Sequence, residues 1–270
     1  MKLVVLLVLF CMSLSAVCNA EDSTDISKKT QRQAKHPVEN KNFLFGLEAR
    51  NYTYSEPGFV SHAGYLFGLW GEWGWGGVLG NGKTSGLLQF GSLAYDGEAC
   101  NLSGTSCVPL SATTNDVLAK LSVRLEYSFN PRFSIFYGAG FRYLYDKGEG
   151  SSFYSRVGQW IFLPVGFSFR SDTSPSNLFV ELEYDHTLSG VLKSGLSEVS
   201  ATLNDITSNQ KGGYGLVLSG GMNINENLMT SLIYEGWYAN DSDVMASGGQ
   251  NFREPANNSQ AFGVRLGYLF

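Results

Sequence analysis

Apolar residues alternate with small or polar residues along most of this chain. In residues 117–129, "VLAKLSVRLEYSF", every second residue from Val117 to Phe129 is apolar, apart from the small Ala119. The intervening positions include Lys120, Arg124 and Glu126. A period of two is typical of a β-strand with one apolar and one polar face.

The same pattern predicts a series of strands and no long helix. The predicted strands are 43–54, 63–75, 84–95, 117–129, 133–146, 158–170, 178–188, 213–224, 228–238 and 259–270, with 84–95 the least regular. The connections alternate in length. The short ones are 76–83, 130–132, 171–177 and 225–227, and the long ones are 55–62, 96–116, 147–157, 189–212 and 239–258.

Two folds match this alternation: a soluble β-sandwich, and a membrane barrel whose apolar face meets lipid. The apolar faces imply strands of about 11–14 residues, whereas soluble strands average about five or six. Glycine is abundant, with 32 residues, and the polar faces are rich in small residues that suit a narrow interior. Aromatic residues gather at strand ends, as at two membrane interfaces. The sequence therefore predicts an all-β, antiparallel, up-and-down transmembrane β-barrel of ten strands, with eight as the alternative.

The first residues predict export. Lys2 precedes an apolar run over 3–14, and the chain turns polar at Glu21, which is typical of a signal peptide cleaved after Ala20. Lipid attachment at Cys18 is disfavoured because Val17 precedes it, and the apolar run is shorter than the ~20 residues of a membrane helix. The predicted organisation is a signal peptide at 1–20, a polar periplasmic tail at 21–41 and the barrel at 42–270.

Cleavage would leave two cysteines, Cys100 and Cys107, in "CNLSGTSC". An exported chain meets an oxidising compartment, so we predict a disulfide between them. Two thiols without nearby histidines do not complete a zinc site, and no metal or cofactor is predicted. The net charge of −5 without a basic run argues against a nucleic-acid partner.

With these features the chain resembles small bacterial outer-membrane β-barrel proteins of eight to ten strands. The resemblance covers residues 43–270 and includes the closing segment "FGVRLGYLF". It implies a location in the outer membrane, contact with its lipid and lipopolysaccharide, and short turns on the periplasmic side. It also implies that Tyr268 and Phe270 are recognised by the outer-membrane assembly machinery.

The polar faces predict a charged interior. By strand parity, the inward ionisable residues are Glu48, Arg50, Glu72, Lys120, Arg124, Glu126, Arg142, Asp146, Arg170, Glu181, Glu183, Asp185, Glu235 and Arg265. Opposite charges in a narrow lumen are expected to pair, since an unpaired buried charge is costly. We therefore expect a plugged interior held by salt bridges, and a narrow passive pore for ions or small solutes is the alternative.

Catalytic candidates are few. The resemblance to ten-strand omptin proteases suggests Asp96 and Glu98 after the third strand, and Asp185 and His186 near the end of the seventh. The omptin pattern has paired aspartates and an Asp-x-His, so both halves depart from it, and adjacent strand residues point to opposite faces. A lipid-modifying site at His186 and Ser189 lacks a third residue. The sequence thus favours a non-enzymatic role, structural or in surface interaction, with the outer loops binding an extracellular ligand.

Overall fold

The computed structural model describes residues 43–77, 80–100, 107–150, 153–171 and 177–270. The predicted signal peptide and polar tail lie outside these ranges. The strands are β1 (Phe43–Glu56), β2 (Val60–Gly77), β3 (Gly80–Cys100), β4 (Cys107–Ser128), β5 (Phe133–Gly148), β6 (Ser155–Arg170), β7 (Leu178–Ser194), β8 (Ile206–Gln210), β9 (Gly213–Asn223), β10 (Leu228–Ala239), β11 (Met245–Ser247), β12 (Gln250–Phe252) and β13 (Asn257–Leu269). One 3₁₀ turn, Leu196–Glu198, precedes β8.

Ten of these strands close into an antiparallel barrel. Strands β1 to β7 pair in sequence, β7 pairs with β9, and β10 pairs with β9 and with β13. The last strand, β13, then pairs with β1 from Leu44↔Leu269 to Ser55↔Asn258, and so leaves no edge at the seam. The predicted ten-strand barrel is confirmed, and the alternative of eight strands is wrong.

The outer ends of the strands reach further than the sequence predicted. The connection predicted at 55–62 is only a turn, because β1 ends at Glu56 and β2 begins at Val60. Most of the connection predicted at 96–116 is also strand, since β3 runs to Cys100 and β4 starts at Cys107. These extensions carry small and polar residues instead of large apolar ones, so they lack the alternation that identified the other strands. Their backbones nevertheless remain paired with the neighbouring strands.

The predicted loops 189–212 and 239–258 hold further structure. A bulge at Leu188 shifts the register of β7 against β6, and beyond it β7 pairs with β8 instead of β9. We call residues 195–211 and 240–256 the crown. Leu196, Leu203 and Ile206 form its small apolar core, against which Tyr154, Met245 and Phe252 pack.

The barrel is apolar outside and largely polar inside. Leu47 is 61% exposed and Val264 is 50% exposed on the outer face, whereas Glu48 and Arg50 are each 2% exposed within. Aromatic residues mark the turn end (Phe43, Phe133, Phe169, Tyr268, Phe270), and tyrosines mark the other end of the band (Tyr65, Tyr184, Tyr214, Tyr238). This arrangement is that of a barrel in lipid. Among the described residues, no helix is long and apolar enough to cross a membrane.

Candidate functional site

A first group of charged side chains lies inside the seam of the barrel. Glu48 of β1 contacts both Arg50 on the same strand and Arg265 on β13. Arg50 also pairs with Glu235 of β10, with Nη1 and Oε2 2.5 Å apart. Gln89 donates from Nε2 to Glu48 Oε1 at 3.0 Å. These contacts connect β1, β3, β10 and β13 on the inner face of the barrel around the seam.

A second group joins β4 to β7. Lys120 Nζ lies 3.1 Å from Glu183 Oε1 and 2.8 Å from Asp185 Oδ2. Arg124 Nη1 lies 2.6 Å from both Glu181 Oε1 and Glu183 Oε2. Bases on β4 therefore face acids on β7, as needed to compensate buried charges.

Lys83 extends this group and was missed in the sequence. Its Nζ lies 3.2 Å from Glu72 Oε2 and 3.2 Å from Glu181 Oε2. The predicted strand began at Thr84, so Lys83 fell into a predicted turn. Lys83, Ser85 and Gln89 lie at odd-numbered positions, and this pattern could have placed Lys83 on the inward face of the strand.

Three residues for which the sequence predicts an interior salt bridge have different surroundings. Arg142 lies between Trp160 and Trp237, with its guanidinium carbon 5.3 and 4.9 Å from their ring centres, and donates to Ser259 Oγ at 3.2 Å. It is held by cation–π contacts instead of a carboxylate. Glu126 is half-buried and Arg170 is exposed at the turn end. Neither forms a salt bridge with any residue in the described ranges.

Apolar side chains close the lumen beyond these charges. We call the buried layer of Tyr52, Leu66, Leu93, Leu118, Trp160, Phe162 and Trp237 the septum. The Phe162 ring packs at 5.5 Å from Trp237 and covers Gly140, where a Cβ would lie 2.2 Å from Phe162 Cζ. A small cavity of about 60 Å³ lies among the charged groups, and a larger one of about 480 Å³ opens at the turn end. The septum therefore forms a packed apolar layer within the lumen.

A third polar group lies between the septum and the crown. Thr114 donates to Asp116 Oδ1 at 2.7 Å, and His62 Nδ1 is 3.9 Å from Asp116 Oδ2. Arg156 contacts Asp146, with Nε and Oδ1 3.0 Å apart, and also Glu56. The sequence reasoning missed His62 as an interior residue because it assigned 55–62 to a loop.

The catalytic candidates do not share one cleft. Asp96 and Glu98 are exposed, on the opposite face of β3 from the buried Gln89 and Leu93. Asp185 is buried in the lumen against Lys120, while its neighbour His186 is exposed outside.

The bulge does not bring Asp185 and His186 onto one face, because it lies at Leu188, after both residues. Ser189, which follows the bulge, is exposed as well. In the described ranges, no group of three or more His, Cys, Asp or Glu residues is arranged to hold a metal.

Cys100 and Cys107 lie directly opposite each other at the end of the β3–β4 ladder. This register brings the two backbones together as a disulfide requires. The covalent bond remains a prediction.

Buried and exposed carboxylates of the crown differ in their pKa. Burial raises the pKa of Glu254, which accepts a hydrogen bond from Ser194 Oγ at 2.5 Å. In contrast, hydrogen bonds from the side chain and backbone of Asn209 lower the pKa of the exposed Asp243.

No protein-family model matches the chain, and no curated protein matches it. The barrel is similar to the outer membrane protease OmpT from Escherichia coli, with a TM-score of 0.54 and 10% identity over 85% of this chain and 97% of that one. Other matches are the β domain of the Bordetella autotransporter BrkA (TM-score 0.41, 11% identity, 84% of this chain, 99% of that one) and Neisserial surface protein A (0.29, 11%, 84%, 97%). The OmpT likeness shows the fold alone. That fold is the closed ten-strand barrel of small outer-membrane proteins, and with the apolar exterior it agrees with the predicted location in the bacterial outer membrane.

Proposed function

We propose that this protein is a sealed outer-membrane barrel that displays its outer extensions for structural or surface-interaction roles. The observation that carries the proposal is the septum, which fills the lumen with buried aromatic and aliphatic side chains. The charged groups on its turn side pair with one another instead of lining an open path. A barrel closed in this way has its accessible surface at its outer end.

The outer end offers a built surface for a partner. The crown has its own apolar core, and Ser247 fixes its two segments by accepting from Asn204 N and donating to Asn204 O, each at 2.8 Å. Beside the crown, large apolar side chains are exposed on the outer parts of other strands and turns, with Phe59 after β1 at 61% and Val108 on β4 at 59%. Ordered segments with exposed apolar side chains are suited to binding an extracellular ligand, since little order has to be gained on binding. Outer-leaflet lipopolysaccharide is the expected neighbour of the tyrosine ring below them.

Single-channel recording on the refolded protein in planar bilayers tests the seal. We expect no steady conductance, because the buried side chains of the septum pack within the lumen. The control is the double variant Phe162→Ala/Trp237→Ala, which removes two rings of the septum that pack edge to face, and it is expected to conduct if it folds. A steady conductance of the unaltered protein would favour the alternative of a narrow pore.

A binding screen on cells tests the display role. Replacing the β11–β12 hairpin, Met245–Phe252, by a short Gly-Ser linker removes part of the crown and leaves the barrel strands intact. The matched control replaces the turn-end residues 225–227, which lie on the opposite side of the membrane. Loss of attachment to extracellular-matrix or host-cell surfaces only in the crown variant supports the proposal, and attachment equal in both variants contradicts it.

A rim protease is the third possibility considered from the sequence. Its candidate side chains do not share one cleft, because Asp185 faces the lumen while Asp96, Glu98 and His186 are exposed outside. We therefore expect no cleavage of a fluorogenic basic peptide. Cleavage that disappears in His186→Ala would overturn this expectation.

A further inference from the structure

The hairpin formed by β3 and β4 extends beyond β5 at the outer end of the barrel. The last residue of β5, Gly148, pairs with Thr114 of β4. β4 itself begins at Cys107, so its residues 108–112 continue to pair with β3, while no described strand pairs with them on the β5 side. A strand edge of this kind is a template on which another extended chain can pair.

One hydrogen bond shows which backbone groups point to the β5 side. Glu149 N donates to Thr113 O at 2.9 Å, so the Thr113 carbonyl faces that side. In an antiparallel strand, every second residue turns its N–H and C=O to the same side, so Ser111 and Pro109 face it as well. Proline has no N–H. The edge therefore offers the N–H of Ser111 and the carbonyls of Ser111 and Pro109. We call residues 109–112 the open edge.

The chain that follows β5 packs on the lumen side of the hairpin. Phe153 N donates to Gly150 O at 3.4 Å, and the Phe153 ring lies 5.0 Å from the ring of Tyr95. The same ring covers Gly148, where a Cβ would lie 2.2 Å from Phe153 Cδ1. Ser111 remains exposed. A partner strand can therefore reach the open edge from outside the barrel.

Exposed carboxylates surround the open edge. Asp96 and Glu98 lie on β3, directly across from edge residues, and Glu149 follows the end of β5. Within the part of the chain that the structure describes, these three form no salt bridge. Lys147, two residues before Glu149, is already paired with Glu198, with Nζ and Oε2 2.9 Å apart. Like charges would oppose the pairing of two copies of this edge, whereas a basic partner would complement it.

We propose that the open edge binds an extended, basic segment of an extracellular polypeptide by antiparallel strand addition. The added strand exchanges both backbone hydrogen bonds with Ser111, and a further N–H donates to the Pro109 carbonyl. Its lysine or arginine side chains on the outer face reach Asp96 and Glu98 across β4. The inference rests on the proposed surface-interaction role and deepens it, since it names the partner and places the contact on the hairpin instead of the crown.

Fluorescence anisotropy on the full mature chain, refolded in a zwitterionic detergent, tests the site. The probe is a labelled heptapeptide of alternating lysine and threonine. One control peptide has the same side chains but is methylated at every backbone nitrogen, and a second has glutamate in place of lysine. We expect saturable binding of the probe and none of the acidic peptide. The methylated peptide should bind about tenfold more weakly, as expected for the loss of one or two hydrogen bonds.

A matched pair of variants locates the binding on the backbone of the open edge. Ser111→Pro removes the last N–H of this edge and should weaken binding about tenfold. Proline is tolerated at strand edges, and Pro109 already occupies the equivalent position two residues earlier. Ser111→Ala keeps the N–H and should leave the affinity unchanged. Heat-modifiable gel mobility establishes that each variant is folded.

The double variant Asp96→Asn/Glu98→Gln tests the charge. It should weaken binding of the probe several-fold at low salt, and the difference should nearly vanish at about 1 M salt, where exposed charges are screened. Both side chains are exposed, so this variant decides the matter if Ser111→Pro does not fold.

Three results would overturn the inference. The first is the absence of saturable probe binding by the folded, unaltered chain. The second is an affinity that is the same in the unaltered chain and in the folded Ser111→Pro or acid variants. The third is a dimer of the unaltered chain that is lost in Ser111→Pro, which would assign the open edge to a second copy.

The variant that lacks Met245–Phe252 separates this inference from the proposed function. It retains the open edge, so it should bind the probe as tightly as the unaltered chain. If attachment to cells depends on the crown but the unaltered chain does not bind the probe, the inference fails and the proposed function stands.

Discussion

Glu48 and Arg265 face each other across the seam where the first and last strands close the barrel. They are direct register partners, and Arg265 Nε lies 2.5 Å from Glu48 Oε2. The same carboxylate contacts Arg50, so a single acid compensates two bases where the two ends of the barrel meet. This contact makes an interior charge part of barrel closure.

Removing the Glu48 carboxylate should destabilise the barrel strongly. Glu48→Ala leaves Arg265 without its carboxylate and Arg50 with Glu235 alone. Breaking a buried ion pair from one side costs about 3–5 kcal/mol, because a buried charge is left uncompensated. Urea unfolding in lipid vesicles, followed by tryptophan fluorescence, measures the change. The control Asp96→Ala alters an exposed carboxylate and should change the free energy of unfolding by less than about 0.5 kcal/mol.

Deleting Phe270 should impair assembly more than shortening the crown does. The Phe270 backbone N–H donates to Phe43 O at 2.9 Å, and its ring lies 5.9 Å from that of Phe43 and 5.0 Å from that of Tyr268. The deletion removes this closing contact as well as the residue expected to be read by the assembly machinery. The measurement compares heat-modifiable barrel in outer-membrane fractions with that of a variant lacking Met245–Phe252. Equal yields would contradict the prediction.

The thiols of Cys100 and Cys107 should be joined in the exported protein. Their register places them opposite each other, and a ring this short stabilises the hairpin locally, by about 2–3 kcal/mol at most on the loop-entropy model. Maleimide should label the protein only after reduction, whereas Cys107→Ser should label without it. Reduction should leave the heat-modifiable mobility of the barrel unchanged. Labelling of the unreduced, unaltered protein would refute the disulfide.

Replacing Glu254 by glutamine should stabilise the crown at high pH and have little effect at low pH. Burial raises the pKa of Glu254. A carboxyl with a raised pKa contributes stability below its unfolded pKa, and this is lost as pH rises through the folded value. Glutamine avoids burying the charge and can still accept from Ser194. Hydrogen exchange of crown amides at about pH 8 and about pH 4, on either side of a raised carboxyl pKa, measures the difference.

Asp243→Asn serves as a control that is expected to change the stability of the crown in the opposite direction. Hydrogen bonds from Asn209 lower the pKa of Asp243, so its carboxylate contributes stability above the ordinary carboxyl pKa and loses it as pH falls through the folded value. This variant should therefore speed crown exchange at about pH 8, where Glu254→Gln slows it. The same direction of change in both variants would show that charge burial does not govern the crown.

The sequence determined which face of each barrel strand meets lipid. In the last strand, Phe262, Val264, Leu266 and Tyr268 are all exposed, and Arg265 finds an interior carboxylate as expected. A period of two follows from backbone geometry, so it can be read from one segment at a time. The count of ten strands and the closed fold followed from this local signal.

Only the tertiary structure decided which charges meet and where the lumen closes. Alternation gives the face of a residue but not its height along the barrel, which depends on the register of every neighbouring strand. Lys120 therefore could not be assigned to Glu183 and Asp185, nor Arg142 to its two tryptophans. The bulge at Leu188 and the extension of β3 to Cys100 likewise arise from pairing with neighbouring strands. The sequence fixes the side on which each residue lies, and the closed barrel sets the partner that each interior side chain meets.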